Sequence, residues 1–326
     1  MYDTLGSTVL KSGERMEVGI INAPDESHAK EIKQFLVHKP GNFKWHIDRC
    51  VVESLDKLET RFYVGKVDGK IITNIMTVEH EGIGILGHVF TVPDQRRKHA
   101  CKGVMTYQME HFRQRNGRAL YLGTGYDSHP YHIYHSFGFE SVLPNSGFMK
   151  YHVKADFEET YFAITTTYSK SVEWHDWPKL TALSGIIRSD TLRSLVWNMY
   201  GATNFEGGFL SFKHTLETDD ACDDAKLLVA ENGAIVGWAT VCRDMNWQNN
   251  IAILDLFFYP NFADVVPNLL SALNFPELKV QCYIDNTAEK KAEILEAAGF
   301  VCEGRFKNHF EYRGKDYDVL VYGREV

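Results

Sequence analysis

ILGHVFTVPDQRRKHACKGVMTYQMEHFRQRNGRALYLGTGYDSHPYHIYHSFGF, residues Ile85 to Phe139, decides how the rest of the chain is read. Ile85 to Val92 is an apolar run of strand length closed by Pro93. A basic turn, PDQRRKHACKG, leads into a segment in which Val104, Met105, Met109 and Phe112 recur at helical spacing, and Gly117 marks its end. A second strand is predicted over Ala119 to Gly125, followed by a short helix carrying Tyr134 and an aromatic corner at Phe137-Gly138-Phe139. The order is strand, basic turn, helix, strand, helix, strand.

A helix N-terminus presents unpaired N–H groups and the positive end of the macrodipole, so Arg96, Arg97, Lys98 and Lys102 at that point suit a diphosphate. As charge runs usually do, the same residues could instead form a solvated basic turn; their place before a helix start argues for the anion.

With these elements in this order the stretch resembles the GNAT superfamily of N-acetyltransferases. That family has a Val-x-Pro strand end, then Arg/Gln-x-x-Gly-x-Gly/Ala, and later a Tyr four residues before a Gly-Phe pair. Here Thr91-Val92-Pro93, Arg96, and Tyr134 before Gly138-Phe139 fall in those places, with His99 and Cys101 where the family has small residues. The resemblance implies acetyl-CoA as cosubstrate, held by the backbone of Phe90, Thr91 and Val92 and by Arg96, Arg97, Lys98, His99, Ala100, Cys101 and Lys102, with Asp127 in the same set. A strand backbone N–H would serve the oxyanion and Tyr134 would protonate the departing thiolate, in the family's manner. The alternative for Tyr134 is a core aromatic beside Tyr131, Ile133 and Phe137. For the general base the candidates are His88, Glu79 and Glu81; a histidine titrates near neutrality, whereas His88 on a strand could equally be a core residue.

The chain has 326 residues, twice the usual domain size, which predicts two domains. Before the quoted stretch, residues 1 to 15 read as a polar lead-in, Met16 to Pro24 as a strand, and ESHAKEIKQFLVH and WHIDRCVVESLDKLE as helices. Two β-rich runs flank the hairpin signal Asp68-Gly69. After residue 155 the pattern restarts. IIRSDTLRSLVWNMYG reads as helical, Lys226 to Val241 repeats the hairpin around Asn232-Gly233, Ile251 to Pro260 repeats the apolar strand, and ILEAAGFVCEG repeats IYHSFGFESV. Gly69 to Gly138 is 69 residues (138 − 69) and Gly233 to Gly299 is 66 (299 − 233), so the halves keep step.

The expected fold is therefore α/β with mixed sheets, two tandem GNAT-like domains: residues 1–155 catalytic and 156–326 a degenerate copy. The second copy has YPNFADVVPNLL for its turn, without a base and with Pro267 in the expected helix, and Leu295 in place of Tyr134.

With hydrophobic content at 44% and a formal net charge of −8, the composition argues against a general nucleic-acid binder and permits an amine substrate. No apolar run reaches the ~20 residues of a membrane span and no signal-peptide core is evident, which predicts a cytoplasmic protein without membrane attachment. Six scattered cysteines without C-x-x-C pairs argue against zinc or a disulfide framework, and His129, His132 and His135 on one short helix lack the acidic partner that would make a metal site, so no metal is expected. The resulting expectation is an acyltransferase that acetylates a primary amine of a small molecule or peptide, as monomer or homodimer. A non-catalytic acyl-CoA sensor, or a transferase of another acyl group, is the alternative.

Overall fold

The computed structural model describes residues 2–187, 190–218 and 221–325. The chain forms two compact units, Met1–Phe157 with Glu173–Ala182, and Glu158–Val172 with Leu183–Val326. Each is mixed α/β with its own mixed sheet, the fold class that the element order implies. The division is not one cut near residue 155, because Glu173–Ala182 returns to the first unit. Asp56 anchors that return: its carboxylate accepts the backbone N–H groups of Trp174 (2.7 Å) and His175 (3.1 Å) and the His175 Nδ1 (2.7 Å).

In the first unit the elements are β1 (Tyr2–Val9), β2 (Arg15–Ala23), α1 (Glu26–Phe35), α2 (Gly41–Cys50), β3 (Glu59–Val67), β4 (Lys70–His80), β5 (Ile83–Thr91), α3 (Ala100–Gln114), β6 (Ala119–Gly123), α4 (His129–His135), β7 (Glu140–Ser141) and β8 (Phe148–His152). The sheet order is β1-β2-β3-β4-β5-β6-β8-β7. All its pairs are antiparallel except β5–β6, which run parallel for Ile83↔Ala119, Gly84↔Leu120 and Ile85↔Tyr121.

The N-terminal lead-in is a strand, not a coil. Only half-buried at the sheet edge, β1 needs no apolar alternation and so left no pattern to find. Likewise the second helix starts four residues before Trp45 and stops at Cys50. The Asp68-Gly69 hairpin forms with both residues at positive φ, +48° and +75°, as a two-residue turn requires. On α3, Val104, Met105, Met109 and Phe112 are buried together against β2, β3 and β5, which roots this helix in the core and leaves its N-terminus at the sheet margin. Asn116 supplies the left-handed residue that ends α3, at φ +61°. Gly117 is required for another reason: a Cβ there would overlap the Phe112 ring, while its N–H closes the helix on the Phe112 carbonyl at 3.0 Å.

Further along the chain come α5 (Phe157–Tyr161), β9 (Thr167–Ser171), α6 (Trp177–Ser184), β10 (Leu192–Ser194), β11 (Met199–Tyr200), α7 (Glu206–Thr218), β12 (Cys222–Ala230), β13 (Ile235–Arg243), β14 (Ile251–Phe258), α8 (Val266–Ser271), β15 (Lys279–Asp285), α9 (Glu289–Ala297), β16 (Val301–Tyr312) and β17 (Lys315–Arg324). The second unit's sheet has the order β16-β17-β15-β14-β13-β12-β9, again with one parallel pair, β14–β15, again three residue pairs long.

In three places the second unit departs from what its sequence implies. IIRSDTLRSLVWNMYG is not helical where it is described; it contains the small hairpin β10–β11, whose backbone is captured by distant carboxylates. Pro267 does not break its helix, since it lies in the first turn of α8, where a proline N–H is not needed. Cys222 and Cys242 form a disulfide, because the β12–β13 register sets them opposite each other although 20 residues apart in sequence. Among the described residues no helix is long and apolar enough to cross a membrane.

Candidate active site

Beyond Ile85 and Tyr121 the parallel pairing of β5 with β6 ends while β5 continues to Thr91, which exposes one backbone edge of β5. Along its other edge the register with β4 slips between Asn74↔Phe90 and Met76↔Gly87, so β5 bulges at His88 and Val89 opposite Ile75. His88 takes φ +48°, a conformation usually left to glycine, and the buried Asn74 amide donates to its carbonyl at 3.1 Å. At the end of the strand the Val92 N–H donates to the Ile72 carbonyl at 3.0 Å. Strand alternation then turns the N–H and C=O of Thr91 away from β4, towards the side on which β6 has departed. Of the three residues expected to offer backbone groups, Val92 has its amide committed and Thr91 has its amide available.

The basic turn follows directly. Arg96 donates from Nε to the Thr91 carbonyl at 3.0 Å, and its guanidinium lies 5.9 Å from the Phe90 ring centroid, so it is fixed beside the exposed edge. Lys98 bonds Gln95 at 3.1 Å and lies 3.6 Å from Glu14. Arg97 and His99 both sit in the left-handed region, at φ +63° and +70°. His99 caps α3 without a side-chain cap bond, and the first intrahelical bond runs from the Gly103 N–H to the His99 carbonyl at 2.9 Å. The amides of Ala100, Cys101 and Lys102 therefore lie at an open helix end with exposed cations around it. His99 thus supplies with a Cβ the backbone conformation that glycine supplies elsewhere. Its imidazole is held below the ordinary value by partial desolvation, with Lys11 and Lys102 adding to the effect. The Cys101 thiol is pushed up to about 11 by burial and is not a nucleophile at neutral pH.

Tyr134 lies on α4, buried within the core cluster, with its ring 6.2 Å from Phe139. Asp127, at φ +57°, precedes the same helix and meets His132 at 3.0 Å; both are well exposed. Of the histidine triplet on α4, His132 is engaged with Asp127 and His135 stacks on Tyr131.

Glu79 is not brought to this site. The register sets it opposite Gly84, in the paired part of β5, where Arg115 (2.9 Å) and Arg61 (3.4 Å) neutralise it in a buried cluster. Burial opposes the Arg115 charge but Glu79 outweighs it, so this guanidinium is held above its usual value. A carboxylate so paired is a structural group. Glu81 is bonded to Lys179 at 2.6 Å.

His88 does lie at the site, and the structure adds neighbours that the sequence did not announce. Phe43 on α2 packs edge-on to His88 at 5.2 Å, His46 stacks beyond it at 6.3 Å, and His38 and Phe35 cover Phe90 at 4.1 and 5.3 Å. Burial drives His46 down to about 3, with Arg49 adding, and pushes His88 well below the usual histidine value. Both rings are therefore neutral at pH 7. Isolated histidines on apolar helix faces carry no motif, and only the β5 bulge reveals that α2 faces it.

Asp56, Glu173 and His175 are the one group among the described residues whose side chains could converge on a metal ion. Burial alone would raise Asp56, but the bonds from His175 and the Trp174 N–H outweigh it and hold the carboxyl low, which suits the anchoring role.

In the second unit the corresponding strands are also parted beyond Ile253↔Gln281, but the chain itself spans the gap. The buried Asp255 of β14 accepts the Leu195 and Val196 N–H groups at 2.8 and 3.1 Å and the Ser194 hydroxyl; Asp285 of β15 accepts the Leu192 N–H at 2.7 Å. The corner after α9 repeats that after α4: Phe300 N–H to Leu295 carbonyl at 3.0 Å, Phe139 N–H to Tyr134 carbonyl at 3.2 Å, with Gly299 and Gly138 both at positive φ.

No protein-family model matches the chain, and no curated protein matches it significantly. Among solved structures it is similar to mutant forms of a spermidine/spermine N-acetyltransferase from Vibrio cholerae, 16% identical over 49% of this chain and 94% of that one, TM-score 0.36. It is also similar to an acetyltransferase of the GNAT family from Streptococcus pneumoniae, 16% identical over 49% of this chain and 98% of that one, TM-score 0.38.

Proposed function

We propose that this chain is a GNAT-type acyltransferase that moves the acetyl group of acetyl-CoA to a primary amine, with the reaction confined to the first unit. The observation that carries the reading is one conjunction: a parallel pair that stops at Ile85 and Tyr121, a bulged strand running on to Thr91, and a basic turn opening into the N-terminus of α3. Arg96, Arg97 and Lys102 with the amides of Ala100 to Lys102 receive the diphosphate. The thioester carbonyl lies along the β5 edge, where the Thr91 N–H stabilises the oxyanion. The amine nitrogen forms the new C–N bond, the C–S bond breaks, Tyr134 gives its proton to the thiolate, and the nitrogen loses its proton to His88 directly or through water. The second unit is a degenerate copy, and the protein works in the cytoplasm, where acetyl-CoA is supplied.

A non-catalytic acyl-CoA binder is the second reading, favoured by the burial of Tyr134 in the core. Calorimetric titration of the full chain with CoA, together with CoA release from acetyl-CoA over an amine panel, separates the two. Binding with acceptor-dependent release supports the transferase, binding without release over the whole panel supports the sensor, and failure to bind CoA overturns both.

A further inference from the structure

His46 is fully buried, and neither of its ring nitrogens has a hydrogen-bond partner within the protein; the Nε2 of His88, also buried, has none either. A buried polar atom without a partner is destabilising, and three in adjacent rings on one wall of a site are a cost that a guest molecule would remove. The ring centroids are 6.3 Å apart with planes inclined by only 20°, and the rings do not bond each other. Two hydrogen bonds of ~2.8 Å meeting at a tetrahedral atom span about 4.5 Å between nitrogens, a span that rings at this separation can present once a guest displaces the side chains that close over them.

The rings packed around His46, His88 and the neighbouring Phe90 are aromatic. Exposed His38 lies on half-buried Phe90, which Phe35 flanks; half-buried Phe43 meets His88, and Trp177 and Trp174 back His46 at 5.0 and 5.8 Å. We infer that His46 and His88 form the floor of the acceptor subsite and receive the N–H of an uncharged, weakly basic amine carried on a flat apolar body, such as an arylamine. The inference rests on the transferase reading and names its acceptor class.

Charge agrees with the geometry. The groups that act electrostatically on the two rings are Arg49 on His46, and His46, Lys39 and His38 on His88, with no carboxylate among them. A cationic amine would be desolvated there against other cations, whereas a neutral N–H donor gains two acceptors. Weakly basic imidazoles suffice for such a substrate. Once its lone pair has formed the C–N bond to the thioester carbon, the nitrogen carries positive charge and its proton is acidic, so it passes to His88 as the C–S bond breaks and the thiolate is protonated by Tyr134.

The test uses the full chain with acetyl-CoA and three acceptors at neutral pH: para-methoxyaniline, para-methoxybenzylamine of the same body but charged, and spermidine. The aniline is expected to exceed both in kcat/KM by about tenfold or more. His46→Phe should lower its kcat/KM by about tenfold, the equivalent of one lost bond at about 1.4 kcal/mol per decade, with KM for acetyl-CoA unchanged and partial rescue in His46→Gln. Equal or better use of spermidine or the benzylamine, or an aniline rate untouched by His46→Phe, overturns the assignment. A separate arm follows the nitrogen-15 imidazole resonances of His46 and His88 as para-methoxyaniline is added without acetyl-CoA: shifts support the subsite, and their absence overturns it. Failure to bind CoA counts against the transferase alone, and this arm still decides the subsite.

Discussion

Asn74 holds the carbonyl of His88: its side-chain amide donates at 3.1 Å from the β4 position that pairs with Phe90, one residue past the slip in register. A bulge leaves backbone groups without a ladder partner, and here one buried side chain supplies the missing donor. The left-handed His88, which costs of the order of 1–2 kcal/mol, is thereby pinned where β5 separates from β6.

Arg96→Ala tests the anion end of the site. The residue is exposed and bonded to the Thr91 carbonyl, so its removal should leave the melting temperature nearly unchanged. CoA affinity should fall roughly 10- to 100-fold, the range for losing charge-assisted bonds of ~1.5–3 kcal/mol. An unaltered dissociation constant by calorimetry would place the diphosphate elsewhere.

His99→Gly separates conformation from chemistry. Glycine adopts φ +70° without strain, and its greater chain entropy offsets that relief, so stability should stay within about 1 kcal/mol. If the imidazole also donates to phosphate, CoA binding weakens, and more at about pH 5.5 than at about pH 8, since only the protonated ring adds charge. An identical affinity ratio at both pH values would reduce His99 to a helix cap.

Tyr134→Phe keeps the ring in its core position and removes only the hydroxyl. The rate of acetyl transfer should drop at least about tenfold with CoA affinity unchanged, a floor set one decade below the ~10²- to 10⁴-fold range of general-acid effects. A variant that turns over like the parent would leave water or a histidine as the acid.

Part of this site was legible because chemistry and periodicity coincide in one unbroken stretch. The apolar run to Thr91, the cations before α3 and the spacing from Tyr134 to Gly138 are local features, and local features survive in a sequence read by itself. Glu79 was misplaced because two adjacent antiparallel strands put residues close in sequence at opposite ends of a partner strand, and only the register tells which end. His46 and Phe43 went unnoticed because they belong to another helix and meet His88 only through tertiary packing. β1 and the β10–β11 hairpin failed for a related reason: the first is a half-wet edge, and the second is held by Asp255 and Asp285, about 60 and 93 residues away from the amides they accept.

His46 predicts how the protein responds to acid. Its folded value of about 3 lies below the ~6.5 of an unfolded histidine, so the unfolded chain takes up a proton first as pH falls. Stability is complete above about pH 6.5 and declines towards about pH 3, by several kcal/mol as an order of magnitude. His46→Phe, which fills the same space without orphaned nitrogens, should flatten part of that decline, leaving the part due to His88. Parallel pH profiles of the urea midpoint for parent and variant would show that His46 is not buried neutral.

Asp255→Ala removes the acceptor for two backbone N–H groups and the Ser194 hydroxyl. Burial, the leading influence, raises this carboxyl, against the bonds from Ser194 and the Leu195 N–H. A loss of about 2–4 kcal/mol is expected, with faster amide exchange across Leu192–Tyr200. Undisturbed exchange there would mean that the β10–β11 hairpin holds itself.

That hairpin changes the meaning of the second parted pair of strands. A segment fastened by its own chain across β14 and β15 is a competitor that can never be diluted away: its effective concentration is set by tether length and lies in the millimolar range or above. A free ligand for the same gap would have its apparent affinity reduced in proportion to the fraction of time the segment is away. On the function proposed for the first unit, titration of the full chain should then give one equivalent of CoA, not two, and a silent second cleft would owe its silence as much to a resident strand as to the cations its turn lacks.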